Sequence, residues 1–291
     1  MAVYERRYKR YEGSLTPQKG RFWVLARYTF KETFQSKLFT ILFGIFFAVS
    51  LVFPAVKGAI IYLLHNAEFL EAFPNFRIDQ MFSVDAAFFS NLMNVQAWFA
   101  FFVALFVGPG LISKDLINNS LPLYLSRPFS RTEYILGKMT VMAILLSSIT
   151  WGVALGLFLL QGNFAGLGWM IDNLQIVVAV FIGSWLWIIT ISLLALALSA
   201  WVKWRPVAAF LMLMVFLTGS FFATITNFLF KIEWAAMVNM GLAIDAVWRG
   251  LLGLSTQGGV SPILGWLALL GLSGLCLFLL HRKVRAYEVV S

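Results

Sequence analysis

The sequence predicts an all-α integral membrane protein with six transmembrane helices. Of its 291 residues, 60% are hydrophobic and only 12% are charged. A single soluble core could not bury so much apolar surface, whereas lipid solvates it. The second observation is a series of apolar stretches of about 20 residues or more, the length that a helix needs to cross a bilayer.

The six predicted spans follow one another along the chain. They cover Leu38–Leu64, Val95–Ser113, Lys138–Leu160, Leu174–Trp201, Val207–Phe230 and Pro262–Leu280. The first is longer than a bilayer requires and contains Pro54 and Lys57, so we expect it to kink or to leave the membrane there. We therefore predict one membrane domain over residues 1–291, with an N-terminal segment (1–37), a six-span region (38–281) and a tail (282–291).

The Lys and Arg side chains predict the orientation of these spans. All but four of the 22 fall in the N-terminal segment, the tail, or the connections that follow spans two and four. The exceptions are Lys57, Arg77, Lys231 and Arg249. The positive-inside rule puts the basic segments, with both termini, on the cytoplasmic side of the inner (plasma) membrane. Because topology accounts for the net charge of +9, we expect no nucleic-acid partner.

Three connections lie on the other predicted face. The loop His65–Asn94 is polar and carries four carboxylates, which are either solvated or contact an extracytoplasmic partner. Gly162–Asn173 is a short connection. The segment Lys231–Ser261 contains apolar helical pieces that are too short to span, so we predict short re-entrant or interfacial helices before the last span.

The stretch Pro17–Lys37 predicts an N-terminal amphipathic interfacial helix. Aromatic and small side chains recur at four-residue spacing, and basic side chains accompany them: Phe22, Ala26, Phe30 and Phe34, with Arg21, Arg27 and Lys31. Such a helix suits the surface of an anionic leaflet. It either serves as a simple anchor or also contacts a cytoplasmic partner.

The segment Lys114–Lys138, between spans two and three, predicts a rigid cytoplasmic elbow. Prolines at positions 122 and 128 interrupt any helix that continues from span two. Ser130 followed by Glu133 forms a capping-box pattern, so a helix should begin near Arg131 and run into span three.

Two functions of this elbow remain open on residue chemistry alone. Its exposed candidates are Tyr124, Arg127, Phe129 and Arg131. They either transmit force from a cytoplasmic partner to two spans, or they belong to a well-capped turn with two positive-inside arginines.

The same segment carries a series of short motifs. Asp115 follows span two; then come the leucine-rich stretch Leu121 to Leu125, Leu-Ser-Arg-Pro ending at Pro128, Ser130-Arg131 and Gly137-Lys138. In these motifs, and in the N-terminal LARYTFKETFQSKLF, the chain resembles the permease subunits of ABC transporters of the type-2 permease family. Asn119 departs from the pattern, since relatives often carry Gly there.

The resemblance implies a coupling elbow that docks a separate cytoplasmic ABC ATPase. Its residues would be Asp115, Leu121, Tyr124, Leu125, Arg127, Pro128, Phe129, Arg131 and Glu133. The resemblance also implies a second permease chain, identical or related, and an exporter. ATP and Mg would be bound by the ATPase subunit. This chain has no GxxxxGK[ST] loop, so we expect it to bind no cofactor and to be no enzyme by itself.

Other sequence features limit the alternatives. His65 and His281 lie far apart in sequence and the single Cys276 lies in an apolar run, which predicts neither a metal site nor a catalytic cluster. The spans hold almost no ionisable side chain, which argues against ion-coupled transport and favours a lipid-like or amphipathic substrate, or mechanical coupling. A non-transporting scaffold or regulatory subunit is the alternative function. Gly108-Pro109-Gly110 is a candidate hinge or a local packing feature.

Overall fold

The computed structural model describes residues 20–64, 84–120, 130–230, 237–256 and 260–284. Within these ranges the regular structure is helical. In chain order the helices are α1 (Arg21–Phe34), α2 (Lys37–Leu64), α3 (Ala86–Ile117), α4 (Arg131–Ile149), α5 (Trp151–Ala165), α6 (Leu167–Asp172), α7 (Leu174–Trp201), α8 (Arg205–Phe230), α9 (Met240–Leu251) and α10 (Pro262–Lys283).

Six helical segments of the described chain are long and apolar enough to cross a membrane, which confirms the predicted number of spans. They are α2, α3, α4 with α5, α7, α8 and α10. Helix α1 lies against the end of α3 and the start of α4, and we call this end of the bundle the α1 face. The protein is a multi-pass membrane protein.

Helix α7 is the centre of the bundle. It contacts α3 most extensively and also packs on α4, α8, α9 and α10. In its most apolar window 67% of the residues are buried, against 18% in that of α2. Small side chains permit this close packing: a methyl group on Gly108 of α3 would collide with Ala195 of α7, and Gly183 of α7 accommodates the Trp248 ring.

Span two begins earlier than the sequence predicted. The Asp85 carboxylate accepts a hydrogen bond from the Phe88 amide at 2.8 Å and caps α3, which starts at Ala86. Residues 86–94 are therefore helical, and assigning them to a polar loop was wrong. The other three carboxylates of that loop lie outside the described residues.

Span three consists of two helices, where the sequence predicted one. Thr150, with φ −97° and ψ −106°, separates α4 from α5. The Ser50 hydroxyl of α2 donates to the Ile149 carbonyl at 2.7 Å, which satisfies an acceptor that the break exposes. The connection after span three also contains a short helix, α6.

Span one agrees in its bounds, and α2 remains helical through Pro54 to Leu64. The predicted kink or exit from the membrane near Pro54 stays a prediction. The α2 helix is also the least buried of the spanning helices.

Helix α9 is one of the short helices predicted before the last span. Asn239 caps its start by accepting hydrogen bonds from the Gly241 and Leu242 amides. It packs on α7 and α10, where Gly265 lies against the backbone of Ala243. Because a backbone carbonyl cannot rotate away, only glycine fits at this crossing.

We predict that Gly265→Ala destabilises the protein by about 1–3 kcal/mol, because the added methyl would lie 2.5 Å from the Ala243 carbonyl oxygen. The measurement is thermal unfolding in detergent. Gly271→Ala on the same helix is the control, because a methyl there meets nothing within 4 Å. Equal melting temperatures for the two variants would contradict the α9–α10 packing.

Candidate functional site

A buried ion pair joins the two helices that flank the predicted elbow. The Lys138 ammonium of α4 lies 2.9 Å from the Asp115 carboxylate near the end of α3. The Tyr134 hydroxyl donates to the same carboxylate at 2.6 Å, and the Ser120 hydroxyl lies 3.4 Å from its other oxygen. One carboxylate therefore connects α3 to α4 through the Tyr134 and Lys138 side chains.

Because this network is buried, the Lys138 ammonium needs a carboxylate partner. Lys138 is 3% exposed and Tyr134 is fully buried. An uncompensated ammonium in such surroundings is strongly unfavourable, and a close carboxylate with further hydrogen bonds offsets the loss of water. Tyr134 and Lys138 are four residues apart, so α4 presents both on one face towards Asp115.

The start of α4 is fixed by the capping box that the sequence predicted. The Ser130 hydroxyl accepts from the Glu133 amide at 3.1 Å, and the Glu133 carboxylate accepts from the Ser130 amide at 2.7 Å. This cap determines where the first turn begins. It thereby sets the direction in which Tyr134 and Lys138 point.

Helix α1 attaches to the same place. Its buried Leu25 and Ala26 face α4, where Gly137 allows close approach: a methyl there would lie 3.0 Å from Leu25. Glu32 of α1 and Lys114 of α3 form an ion pair of 3.1 Å at the surface. Exposed pairs of this kind contribute little stability, so the apolar contact holds α1 and the pair sets its position.

The cleft between these helices is small and is lined by both charged and apolar side chains. Its charged lining comprises Glu32, Lys114, Asp115, Lys138 and Arg205. The three cations exceed the two carboxylates, which leaves a local excess of one positive charge. The α1 face is thus basic around the attachment of α1.

The Gly108-Pro109-Gly110 sequence does not interrupt α3, but neighbouring helices complete its hydrogen bonding. Proline has no amide hydrogen, so the turn around it is weakened. The Ser199 hydroxyl of α7 accepts from the Ile112 and Ser113 amides at 3.0 and 2.9 Å. It also donates to the Pro109 carbonyl at 2.7 Å.

A second side chain reaches the same turn from α8. The Arg205 guanidinium donates to the Phe106 carbonyl, and its stem lies against Gly110. Three spanning helices therefore meet where α3 has its weakest backbone. The Ser199 hydroxyl uses its one donor and both of its acceptor positions at this turn, so all its hydrogen-bonding capacity is satisfied there.

Asn119 has a left-handed backbone conformation just beyond the end of α3. Its φ is 51°, in a region that glycine adopts freely and that asparagine tolerates better than most side chains. Asn119 can therefore adopt the same backbone conformation as the Gly that relatives often carry at this position.

The structure describes only part of the predicted coupling elbow. Asp115 lies near the end of α3, and Arg131 and Glu133 lie in the first turn of α4. The remaining elbow residues, Leu121, Tyr124, Leu125, Arg127, Pro128 and Phe129, lie outside the described residues. Glu133 is occupied in the α4 cap.

The predicted residues of the interfacial helix all lie on α1. Phe22, Phe30 and Phe34 are half-buried on its packed side, whereas Arg27 and Lys31 are exposed. Arg21 opens the helix. Trp23 and Tyr28 are also largely exposed, so α1 presents further aromatic side chains away from the bundle.

Sequence reasoning missed the partners of Lys138, Glu32 and Ser199. It counted Lys138 only among the basic residues that set the orientation, whereas the side chain is buried against Asp115. One sequence signal for a buried pairing was available: Lys138 follows Tyr134 by four residues at the apolar start of a span, so the two share a helix face. Nothing in the sequence links Ser199 to Pro109, because the two belong to different helices.

One comparison with known proteins identifies relatives of this chain. The model of a family described as ABC-2 family transporter protein matches residues 23–271. The search of curated proteins found no match. The matched range includes α3, the start of α4 and the network around Asp115.

We predict that Asp115→Leu destabilises the protein by about 3–5 kcal/mol, because it leaves the Lys138 ammonium buried without a counter-charge. Adding Lys138→Met should recover most of this loss. Thermal unfolding in detergent measures both effects. The exposed pair provides the control: Glu32→Gln should cost at most about 1 kcal/mol. Additive losses in the double variant would contradict the pairing.

We also predict that Ser199→Ala destabilises the protein by about 1–3 kcal/mol, because amides of the proline turn lose their acceptor. Ser192→Ala is a matched control on the same helix. Its hydroxyl is equally buried but has no hydrogen-bond partner among the described residues. Unfolding temperatures that fall equally in both variants would show that Ser199 does not support the turn.

Proposed function

The chain belongs to the ABC-2 family of transporter proteins as a membrane-spanning permease subunit, and on this premise we propose that it forms an ATP-driven exporter with separate ATPase subunits. The observation that carries the proposal is the buried Asp115–Lys138 pair. It joins the two ends of the elbow, so a displacement of residues 121–129 would be passed to α3 and α4 together.

In this proposal the α1 face is cytoplasmic. Exposed basic side chains of the described chain occur at that end: Arg27, Lys31, Lys203, Arg282 and Lys283. Lys283 lies over the Trp201 ring, so the ends of α7 and α10 meet there. This distribution supports an orientation with both termini in the cytoplasm, as the positive-inside rule requires.

The proposed coupling begins at the elbow, where the ATPase docks, and at the exposed side of α1. ATP and Mg are bound and used by the ATPase. Closure of two ATPases would push the elbow, and the Asp115 network would move the ends of α3 and α4 as one unit. The apolar contact of Leu25 with Gly137 of α4 would carry α1 with them.

The turn at Gly108-Pro109-Gly110 is the proposed hinge of α3. A proline turn bends more easily than a regular helix, because its backbone hydrogen bonding is incomplete. Here the bonds are supplied by Ser199 and Arg205 from two other helices. A bend at this turn would therefore be coupled to movement of α7 and α8.

A second permease chain completes the proposed pathway. In α2 and α8 only 18% and 28% of the most apolar windows are buried within one chain. These faces contact either lipid or the second copy. We propose that the copies meet along spans one, two and five.

We further propose that α9 is re-entrant. The Val238 backbone lies against Gly219, about halfway along α8, so α9 starts at the depth of the middle of that span. At its other end the Leu251 carbonyl accepts from Gln175, near the start of α7. Helix α9 would then rise from the bilayer interior to the face opposite α1.

The test is co-purification with the candidate ATPase in mild detergent. We expect a stable complex that hydrolyses ATP. The paired change Arg127→Glu and Arg131→Glu should reduce bound ATPase by about tenfold or more, because like charges at a docking surface cost several kcal/mol. Lys203→Glu with Arg282→Glu reverses two other charges at the α1 face and should leave binding intact.

Two outcomes would overturn the proposal. If no ATPase co-purifies, the permease does not work with that subunit. If both charge-reversal pairs behave alike, the elbow is not the docking surface. Either result would favour a non-transporting scaffold.

A further inference from the structure

A cleft opens between α3, α8 and α9, on the side of the bundle away from α1. Its volume is about 430 Å³. Polar side chains line it at the level where α9 begins and along its first turns, namely Asn91, Asn94, Ser220, Asn239, Asp245 and Arg249. We call it the α9 cleft. Ionisable side chains at such a place in a membrane protein usually face a partner or a water-filled cavity.

The polar floor of the α9 cleft is held in position by one carboxylate. Asp245 is 9% exposed. One of its oxygens accepts from the Asn94 amide at 2.8 Å, and the other accepts from Arg249 Nε at 2.8 Å. The network joins α9 to α3 and fixes the rotamers of all three side chains.

Hydrogen-bonding capacity remains after this network is formed. A guanidinium carries five N–H groups, and Arg249 uses Nε for Asp245 and makes a long contact of 3.5 Å from Nη1 to the Ser255 carbonyl. The Asn239 oxygen caps α9, which leaves its amide nitrogen to donate. The exposed Asn91 amide offers a donor and an acceptor.

Among the described residues, Asp245 and Arg249 are the charged lining of the α9 cleft, and their charges cancel. A ligand that carries a net charge would therefore find no uncompensated counter-ion among these residues. Amide groups pair well with hydroxyl or amide groups, which also both donate and accept. This combination selects an uncharged polar head group.

Aromatic side chains form the other wall. Phe216 packs against Trp98 at 5.2 Å and Phe101 at 4.7 Å between ring centroids. Trp98 is 52% exposed, so this wall continues onto the surface of the spans. An apolar body could lie along it while a head group occupies the polar floor.

We infer that the α9 cleft binds a neutral amphiphile whose head group carries several hydroxyl groups. The head lies among Asn91, Asn94 and Arg249, and its apolar part extends along Trp98 and Phe216. The inference does not depend on an ATPase, since these residues all belong to this chain. Binding can therefore be measured, and can fail, independently of the proposed coupling.

The experiment is native mass spectrometry of the full chain in a detergent without a sugar head group. Three lipids with identical acyl chains are titrated: monoglucosyl diacylglycerol, phosphatidylglycerol and diacylglycerol. We expect the glucosyl lipid to bind about tenfold more tightly than either of the others, as about two hydrogen bonds would provide.

Single substitutions locate the site. Asn91→Ala, which leaves the Asp245 network intact, and Asn94→Ala should each weaken glucosyl-lipid binding about fivefold. Asn173→Ala is the matched control: like Asn94, Asn173 donates to a carbonyl four residues earlier, but it lies outside the α9 cleft. The affinity of the Asn173→Ala variant for the glucosyl lipid should equal that of the unmodified chain.

Three results would overturn the inference. Equal binding of all three lipids would mean non-specific contact with the spans. Tighter binding of phosphatidylglycerol would identify an anion site at Arg249. Unchanged binding in the correctly folded Asn91→Ala variant would exclude the α9 cleft as the binding site.

Discussion

The buried pair of Asp115 and Lys138 is the constraint on which this end of the bundle depends. It needs the end of α3, the first turns of α4 and the Tyr134 hydroxyl in one place. The Ser130–Glu133 cap sets the start of α4, and the contact of α1 with Gly137 covers the same turn. A change at any of these positions alters the geometry of the Asp115–Lys138 pair, and a buried ion pair tolerates little misalignment.

At the centre of the bundle, a side chain of one helix supplies backbone hydrogen bonds of another. Gly108 lets α3 approach α7 closely, and this proximity brings Ser199 within reach of the proline turn. The turn can then be soft without leaving polar groups unsatisfied in hydrocarbon, which would be costly. Any bend of α3 at this turn would thus depend on the contacts that Ser199 of α7 and Arg205 of α8 make there.

The sequence predicted what local chemistry determines and missed what tertiary contact determines. Hydropathy predicted six spans, and the Ser130–Glu133 spacing predicted where α4 begins. The break at Thr150 was missed because no proline marks it. The Ile149 carbonyl that it exposes is satisfied by Ser50, which lies 99 residues away in sequence. The same limit applies to the pairs of Lys138 with Asp115 and of Asp245 with Asn94, since neither follows from spacing along the chain.

The burial of Lys138 also bears on how the chain enters the membrane. A lone ammonium at the apolar start of a span opposes insertion, whereas one that meets a carboxylate inserts as a nearly neutral unit. Asp115 precedes Lys138 during synthesis, so the acceptor is already present when the lysine emerges. A helical hairpin of the second and third spans, in which Asp115 pairs with Lys138, would therefore enter the bilayer at a lower free-energy cost than the third span alone.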